Sequence, residues 1–183
     1  MKIISLENVS DLPVEFVDTP IEQVVRYHNF NEPFSEHIQP EILIGKCMDY
    51  RVVLRLPPRF AYKLRTGGCN LGHHDFHVAY AVAVGGVKAV ALIGHTDCGM
   101  VSLEEKREKF VRGFMAQSGW PYADAELFFD RYAKENSLCR ESDILFEEAA
   151  RYRRWFPKLP IATFLYRLDD QRLHLLQESS RDL

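Results

Sequence analysis

The chain has 183 residues, with 23 Lys and Arg against 26 Asp and Glu, which suits one domain around one apolar core and excludes a general electrostatic pull toward nucleic acid or anionic membrane. No apolar stretch approaches the ~20 residues that span a bilayer. Met1 to Pro20 is interrupted by Glu7, Asp11, Glu15 and Asp18 where a secretory leader needs an unbroken apolar run, so the expectation is a cytoplasmic protein without nucleic-acid or membrane partners.

The predicted unit is a single domain over residues 1–183. Residues 1–40 carry Pro13, Pro20, Pro33 and Pro40 and read as an N-terminal arm, with one short helix from Ile21 to Asn29 that Thr19 caps and Pro20 opens. The first core strand is Ile42 to Lys46, a continuous apolar run of the kind buried on both faces of a parallel sheet; it ends at Cys47. Phe60 to Arg65 forms a second strand, stopped by Gly67 and Gly68, and residues 74–84 carry apolar side chains at helical density until Gly85 and Gly86. Lys88 to Ile93 is a third buried strand, and it runs directly into Gly94-His95-Thr96-Asp97-Cys98-Gly99.

Beyond that loop, Val101 to Met115, Tyr122 to Glu135 and Asp143 to Phe156 read as helices, the last with Ser142 as its cap. Tyr122, Phe128 and Phe129 read as core or interface aromatics. Ile161 to Leu168 is a fourth strand, Asp169-Asp170 a turn, and Arg172 to Leu176 a final strand pairing antiparallel with it. The predicted fold class is α/β: a mainly parallel central sheet, four parallel strands plus a C-terminal antiparallel strand, flanked by helices. Right-handed crossovers place the first and third strands side by side with the second outside the first. Functional groups in such sheets gather beyond the carboxyl ends of the strands, near the reversal of strand order, which brings Cys47 opposite the His95 to Cys98 loop.

Cysteines stand at 47, 69, 98 and 139, without the dense spacing of a secreted disulfide scaffold, so they are expected as thiols or metal ligands; Cys69 and Cys139 read as inert. A catalytic zinc takes three protein ligands, prefers thiolate and imidazole among them, and keeps a fourth position for water. Cys47, His95 and Cys98 supply that set. In Cys47-Met48-Asp49-Tyr50-Arg51, alternate residues after a strand end point to one side, which puts Asp49 and Arg51 beside the metal. A carboxylate there can orient a reacting water, and an arginine can fix that carboxylate by planar bidentate pairing. His73 and His77, with His74 between them, are i, i+4 partners that could form a second metal site, but a polar helix entry is the favoured reading because they lack a carboxylate or thiol partner.

Cys47-x-Asp49-x-Arg51 followed by Gly94-His95-x-x-Cys98-Gly99 resembles the paired motifs of the β-carbonic anhydrases, and the resemblance runs from about Ile42 to Leu176. It implies zinc-dependent hydration of carbon dioxide to bicarbonate by a metal-bound hydroxide, on an α/β fold, in a homodimer or a multiple of dimers. By motif match the zinc ligands are Cys47, His95 and Cys98, and the catalytic dyad is Asp49 with Arg51. The chain departs from the family where Arg65-Thr66-Gly67-Gly68 replaces Arg-Asn-Ala-Gly, and where Pro57, Pro58 and Arg59 replace a Gly-Asp-Ala turn. Proteins of the same fold hydrolyse carbonyl sulfide or carbon disulfide, which is the first alternative. A non-catalytic zinc-binding regulatory or structural homologue is the second, and a thiol redox protein is disfavoured because no Cys-x-x-Cys pair is present.

Overall fold

The computed structural model describes residues 1–178; residues 179–183 of the predicted domain lie outside the described part. Strands β1 (Lys2–Ile4), β2 (Ile42–Cys47), β3 (Ala61–Thr66), β4 (Ala89–His95), β5 (Ile161–Tyr166) and β6 (Leu173–Gln177) form one sheet in the order β1-β6-β5-β4-β2-β3. Helices α1 (Pro20–Asn29), α2 (Asp75–Ala83), α3 (Arg107–Ser118), α4 (Tyr122–Asn136) and α5 (Asp143–Trp155) surround it.

β2 and β4 are buried at every position, as their unbroken apolar runs require. They pair in parallel, Ile42 opposite Ala89 through Lys46 opposite Ile93, while β3 flanks the other side of β2. The chain thus steps outward from β2 to β3 and returns to the opposite side of β2 for β4. Strand order reverses between β2 and β4, the expected position for a crevice at their carboxyl ends.

One face of the sheet packs Ile42, Ile44, Ala91, Ile93 and Phe164 against Ile21, Val24 and Val25 of α1. The other packs Leu43, Val90 and Leu92 against Val78 of α2 and Leu145, Ala149 and Tyr152 of α5. The Val, Leu, Ile and Phe side chains among these, fully buried, contribute about 1.5–3 kcal/mol each. Gly94 lets α5 close down near the site: a Cβ there would stand 3.0 Å from both Glu141 O and Leu145 Cδ1. A satellite core of Val111, Ala125, Phe129 and Ala133 joins α3 to α4; of the aromatics expected as core or interface, Phe129 is buried here and Tyr122 is exposed.

The structure departs from expectation at three places. Lys2–Ile4 of the N-terminal arm forms a sixth strand, antiparallel to β6, so the sheet carries two strands beyond β5 and not one. The helix expected over 101–115 starts late: a single 3-10 turn covers Leu103–Lys106 and α3 follows. The backbone of Met100 to Ser102 is claimed by a neighbour instead, since Leu138 N donates to Met100 O at 2.9 Å and Ser102 N to Leu138 O at 3.1 Å. Ser142 is no side-chain cap, because its own backbone is already helical at φ −84, ψ −28 and its hydroxyl turns to Asp143. Thr19, in contrast, caps α1 as expected, accepting from Ile21 N at 3.2 Å.

Candidate metal centre

Cys47 closes β2 and His95 closes β4, so the pairing of those strands brings together two residues far apart in sequence. A turn through Asp97, which adopts φ +57, swings Cys98 back over the strand ends. The Cys47 and Cys98 sulfurs stand 3.8 Å apart, and both lie with a His95 ring nitrogen in one buried cluster whose three ligand atoms are all within 4.8 Å of one another. Two sulfurs held at ~2.3 Å by one tetrahedral ion are about 3.8 Å apart, whereas a disulfide requires ~2.05 Å. The spacing therefore fits shared coordination.

His95 supplies the decisive detail. Its Nδ1 donates to Thr96 O at 2.9 Å, so in the neutral ring the lone pair is on Nε2. Nε2 is buried and makes no hydrogen bond among the described residues. An orphaned interior polar atom costs about 1–3 kcal/mol, and a ring nitrogen anchored to a backbone carbonyl is the usual support of a metal-bound histidine. A soft divalent cation would satisfy Nε2 and both sulfurs together.

Electrostatics favour one anionic sulfur here, at Cys47. Cys47 is held well below the ordinary thiol range, first by the hydrogen bond from Cys98 and, against the opposing cost of burial, by His95 and by the backbone N–H groups of Asp49 and Gly68. Cys98, the donor in that pair, is pushed up by the same hydrogen bond and by burial. Burial, the largest single influence on His95, works against its charged form, but Cys47, the Thr96 carbonyl and Asp49 together raise the imidazole. Cys69 is fully buried and pushed up to about 12 by desolvation, which keeps it inert as expected.

Asp49 and Arg51 lie beside this cluster. Asp49 Oδ1 accepts from Arg51 N at 2.9 Å and from Nε at 3.0 Å, and Oδ2 accepts from Nη2 at 2.7 Å. This grip holds the carboxyl down at about 2, the side-chain hydrogen bond being the chief cause. Oδ2 comes within 3.8 Å of His95 Nε2.

Four further residues that sequence reasoning assigned no role hold the site together. Asp97 Oδ2 accepts from Arg51 Nη1 at 2.7 Å. Arg65 Nη2 donates to Met48 O at 2.6 Å, and the buried Lys46 ammonium donates to Val52 O, so both ends of the turn bearing the dyad are tied down. Glu148, buried on α5, accepts from Leu71 N at 3.0 Å and pairs with Arg151, which fixes the loop after β3 whose Gly68 supports Cys47. Only Asp97 had a sequence signal, its place between two ligands.

The second histidine cluster does not assemble. His73 meets Glu135 at 3.7 Å on the surface, the His74 and His77 rings sit 5.5 Å apart, and among the described residues no three-ligand group forms except Cys47, His95 and Cys98. A largely apolar cavity of about 270 Å³ is lined by Met48, Gly67, Met100, Phe110, Phe128 and Tyr132 among others; Met48 follows Cys47 directly and Met100 lies two residues past Cys98 in the chain.

No family model and no curated protein matches the chain in sequence. Solved structures do resemble it. The β-carbonic anhydrase isoform I of Trichomonas vaginalis superposes with a TM-score of 0.62 at 21% identity, covering 80% of this chain and 88% of that one. A carbonic anhydrase from Glaciozyma antarctica gives 0.59 at 18% identity over 90% and 99% of the two chains, and the apo form of a carbon disulfide hydrolase gives 0.53 at 18% over 79% and 80%. The chain has the α/β fold of the β-carbonic anhydrases.

Proposed function

We propose that this protein is a zinc hydro-lyase that converts carbon dioxide to bicarbonate. The observation that carries the reading is the unpartnered, buried Nε2 of His95 grouped with two sulfurs 3.8 Å apart, with the Asp49–Arg51 pair on the adjoining side. Cys47, His95 and Cys98 would hold the zinc, which when bound acidifies water and so supplies a nucleophile near neutral pH. Two thiolates neutralise a divalent ion, so this donor set acidifies water less than three imidazoles would, and assistance from the chain matters more.

Asp49 provides that assistance. Its Oδ2, 3.8 Å from His95 Nε2, accepts a hydrogen bond from the reacting water and directs the oxygen lone pair at the substrate carbon. Arg51 keeps the carboxylate ionised and engaged on both oxygens, which stops Asp49 from becoming the fourth ligand itself. Thr96 O keeps the His95 proton on Nδ1 and so preserves the donor nitrogen. Met48 and Met100, each within two residues of a cysteine ligand, line an apolar cavity suited to a small linear molecule without charge and poorly suited to the anionic product.

That same cavity of about 270 Å³ supports a second reading, hydrolysis of carbonyl sulfide or carbon disulfide: its lining is mostly apolar, with Met48 and Met100 among aromatic side chains, and a carbon disulfide hydrolase shares the fold. The proposal extends to a homodimer or a multiple of dimers, supported by the exposed apolar side chains of Met48, Tyr50 and Val53 around the site mouth, and to a reducing, cytoplasmic setting, supported by the four cysteines being free. No described helix is long and apolar enough to cross a membrane.

The test is stopped-flow hydration of carbon dioxide by protein of measured zinc content, run beside carbonyl sulfide and carbon disulfide, with light scattering for mass. Turnover of carbon dioxide above buffer supports the proposal, and turnover of the sulfur compounds alone selects the second reading. Zinc-replete protein inert toward all three would leave the metal a structural role.

A further inference from the structure

Arg51 serves two carboxylates. Its Nε and Nη2 face Asp49, while Nη1 donates to Asp97 Oδ2 at 2.7 Å and Nη2 donates again to Asp97 O at 3.0 Å. The guanidinium is thereby bound on both sides, and the side chain that completes the clasp lies on the loop between His95 and Cys98, 46 residues away from Arg51. Asp97 is otherwise unexplained: its side chain is 81% exposed, it contributes nothing to the core, and it holds φ +57, a conformation that costs most L-residues energy and that aspartate tolerates better than most.

We propose that Asp97 is a positioning residue: it locks the Arg51 guanidinium in the one orientation that grips both oxygens of Asp49, and thereby couples the loop carrying two metal ligands to the loop carrying the dyad. The inference rests on the reading of the site given above. An arginine side chain has several rotatable bonds, and Arg51 retains about a third of its exposure (36%); held by Asp49 alone it would be anchored along the Nε–Nη2 edge with Nη1 loose, whereas a second partner on the far edge removes the remaining freedom. Asp49 then meets its reacting partner already oriented, which is where positioned groups gain their rate advantage. Because the Arg51–Asp97 contact is exposed, its value is geometric and not a large addition to stability.

The test uses zinc-loaded, ¹⁵N-labelled full-length protein and three variants. Asp97→Gly deletes the carboxylate and suits the positive φ; Asp97→Ala deletes it and adds backbone strain; Asp97→Asn keeps an oxygen that can accept from Nη1. Rotation of the Arg51 guanidinium about Nε–Cζ, followed by NMR, is expected to speed up several-fold in both the Gly and the Ala variants and to return toward the parent rate in the Asn variant, with zinc content and melting temperature held. On the substrate that the parent turns over, kcat is expected to fall about 10-fold in the Gly variant with KM unchanged, less than deletion of a positioned acid-base group costs. Unchanged rotation in Asp97→Gly overturns the inference, as does faster rotation with kcat intact, or a loss confined to Asp97→Ala, which would trace to backbone strain. A parent protein inactive on every substrate would remove the functional reading, while the rotation measurement still decides whether Asp97 holds Arg51.

Discussion

Removing the dyad one member at a time and then together separates the work of Asp49 from that of Arg51. In the structure Arg51 makes four hydrogen bonds of 2.7 to 3.2 Å to Asp49, from its backbone N, from Nε to both oxygens and from Nη2, so it should act through the carboxylate. Losing a hydrogen bond that involves a charged group costs about 1.5–3 kcal/mol, equal to about 10- to 150-fold in rate. Since the Asp49 bond also orients a reacting water, Asp49→Ala is expected at about 10²-fold or more below the parent. Arg51→Ala should lose at least as much: the released carboxylate, already 3.8 Å from His95 Nε2, becomes free to fill the fourth position, and zinc should be retained more tightly. The double variant should then equal Asp49→Ala within a few-fold, because no carboxylate remains to obstruct. Stopped-flow hydration with metal analysis of each sample makes the comparison. Near-parental rates in both single variants, or losses that multiply in the double, would refute the argument that Arg51 works by restraining Asp49.

Stripping zinc with a strong chelator should abolish turnover and lower the melting temperature by roughly 8–16 °C, the shift for losing a ligand present at ~1,000 times its Kd in a domain of this size; calorimetry before and after re-addition of zinc checks both. Gly68→Ala places a Cβ 2.5 Å from Leu138 Cδ1 at a residue with φ +63, which should cost about 1–3 kcal/mol and, by displacing the N–H that supports Cys47, weaken zinc binding in a competition titration. For Glu148, burial raises the carboxyl above its ordinary 4.5 despite Arg151 and Leu71 N. A carboxyl raised on folding takes up protons, so its contribution to stability falls as pH climbs above about 4.5. Glu148→Gln escapes that penalty, and its melting temperature relative to the parent should rise with pH across this range; a constant or falling difference would show that the ion pair with Arg151 dominates.

The central strands were legible because their physics is local. β2 and β4 are buried on both faces, so each had to appear as an unbroken apolar run, and their right-handed connection left few arrangements. β1 was not legible: Lys2–Ile4 is three residues long and two of its positions are exposed, too short for any periodicity, and its strand character exists only through pairing with Leu175 to Gln177 at the other end of the chain. The start of α3 failed for a related reason. The charged run from Glu104 to Lys109 has helical composition, but Met100 to Ser102 bond to Leu138, and Ser102 is left-handed at φ +52. Tertiary pairing overrode local propensity at each of these points.

The candidate site divides along the same line. Metal chemistry admits few residue types, so thiolate and imidazole spaced as His95-x-x-Cys98 and placed after a buried strand carried their meaning in sequence, and parallel pairing of β2 with β4 brought Cys47 alongside. The residues that hold this group in shape carry no such restriction. Arg65 reaches the Met48 carbonyl across 17 residues, and Glu148 reaches the Leu71 N–H across 77; an arginine and a glutamate on these elements look identical to solvated surface charges until the backbone groups they meet are placed. What the sequence leaves silent is therefore the support and not the reagents. The support is also where this chain departs from the motif that it otherwise resembles, since Arg65-Thr66-Gly67-Gly68 spans the end of β3 and the turn whose Gly68 backbone meets Cys47. If substrate choice among heterocumulenes differs from that of other proteins with this fold, the cause should be sought in that loop and in the Met48 and Met100 wall beside it, because the donor set itself leaves no room for variation.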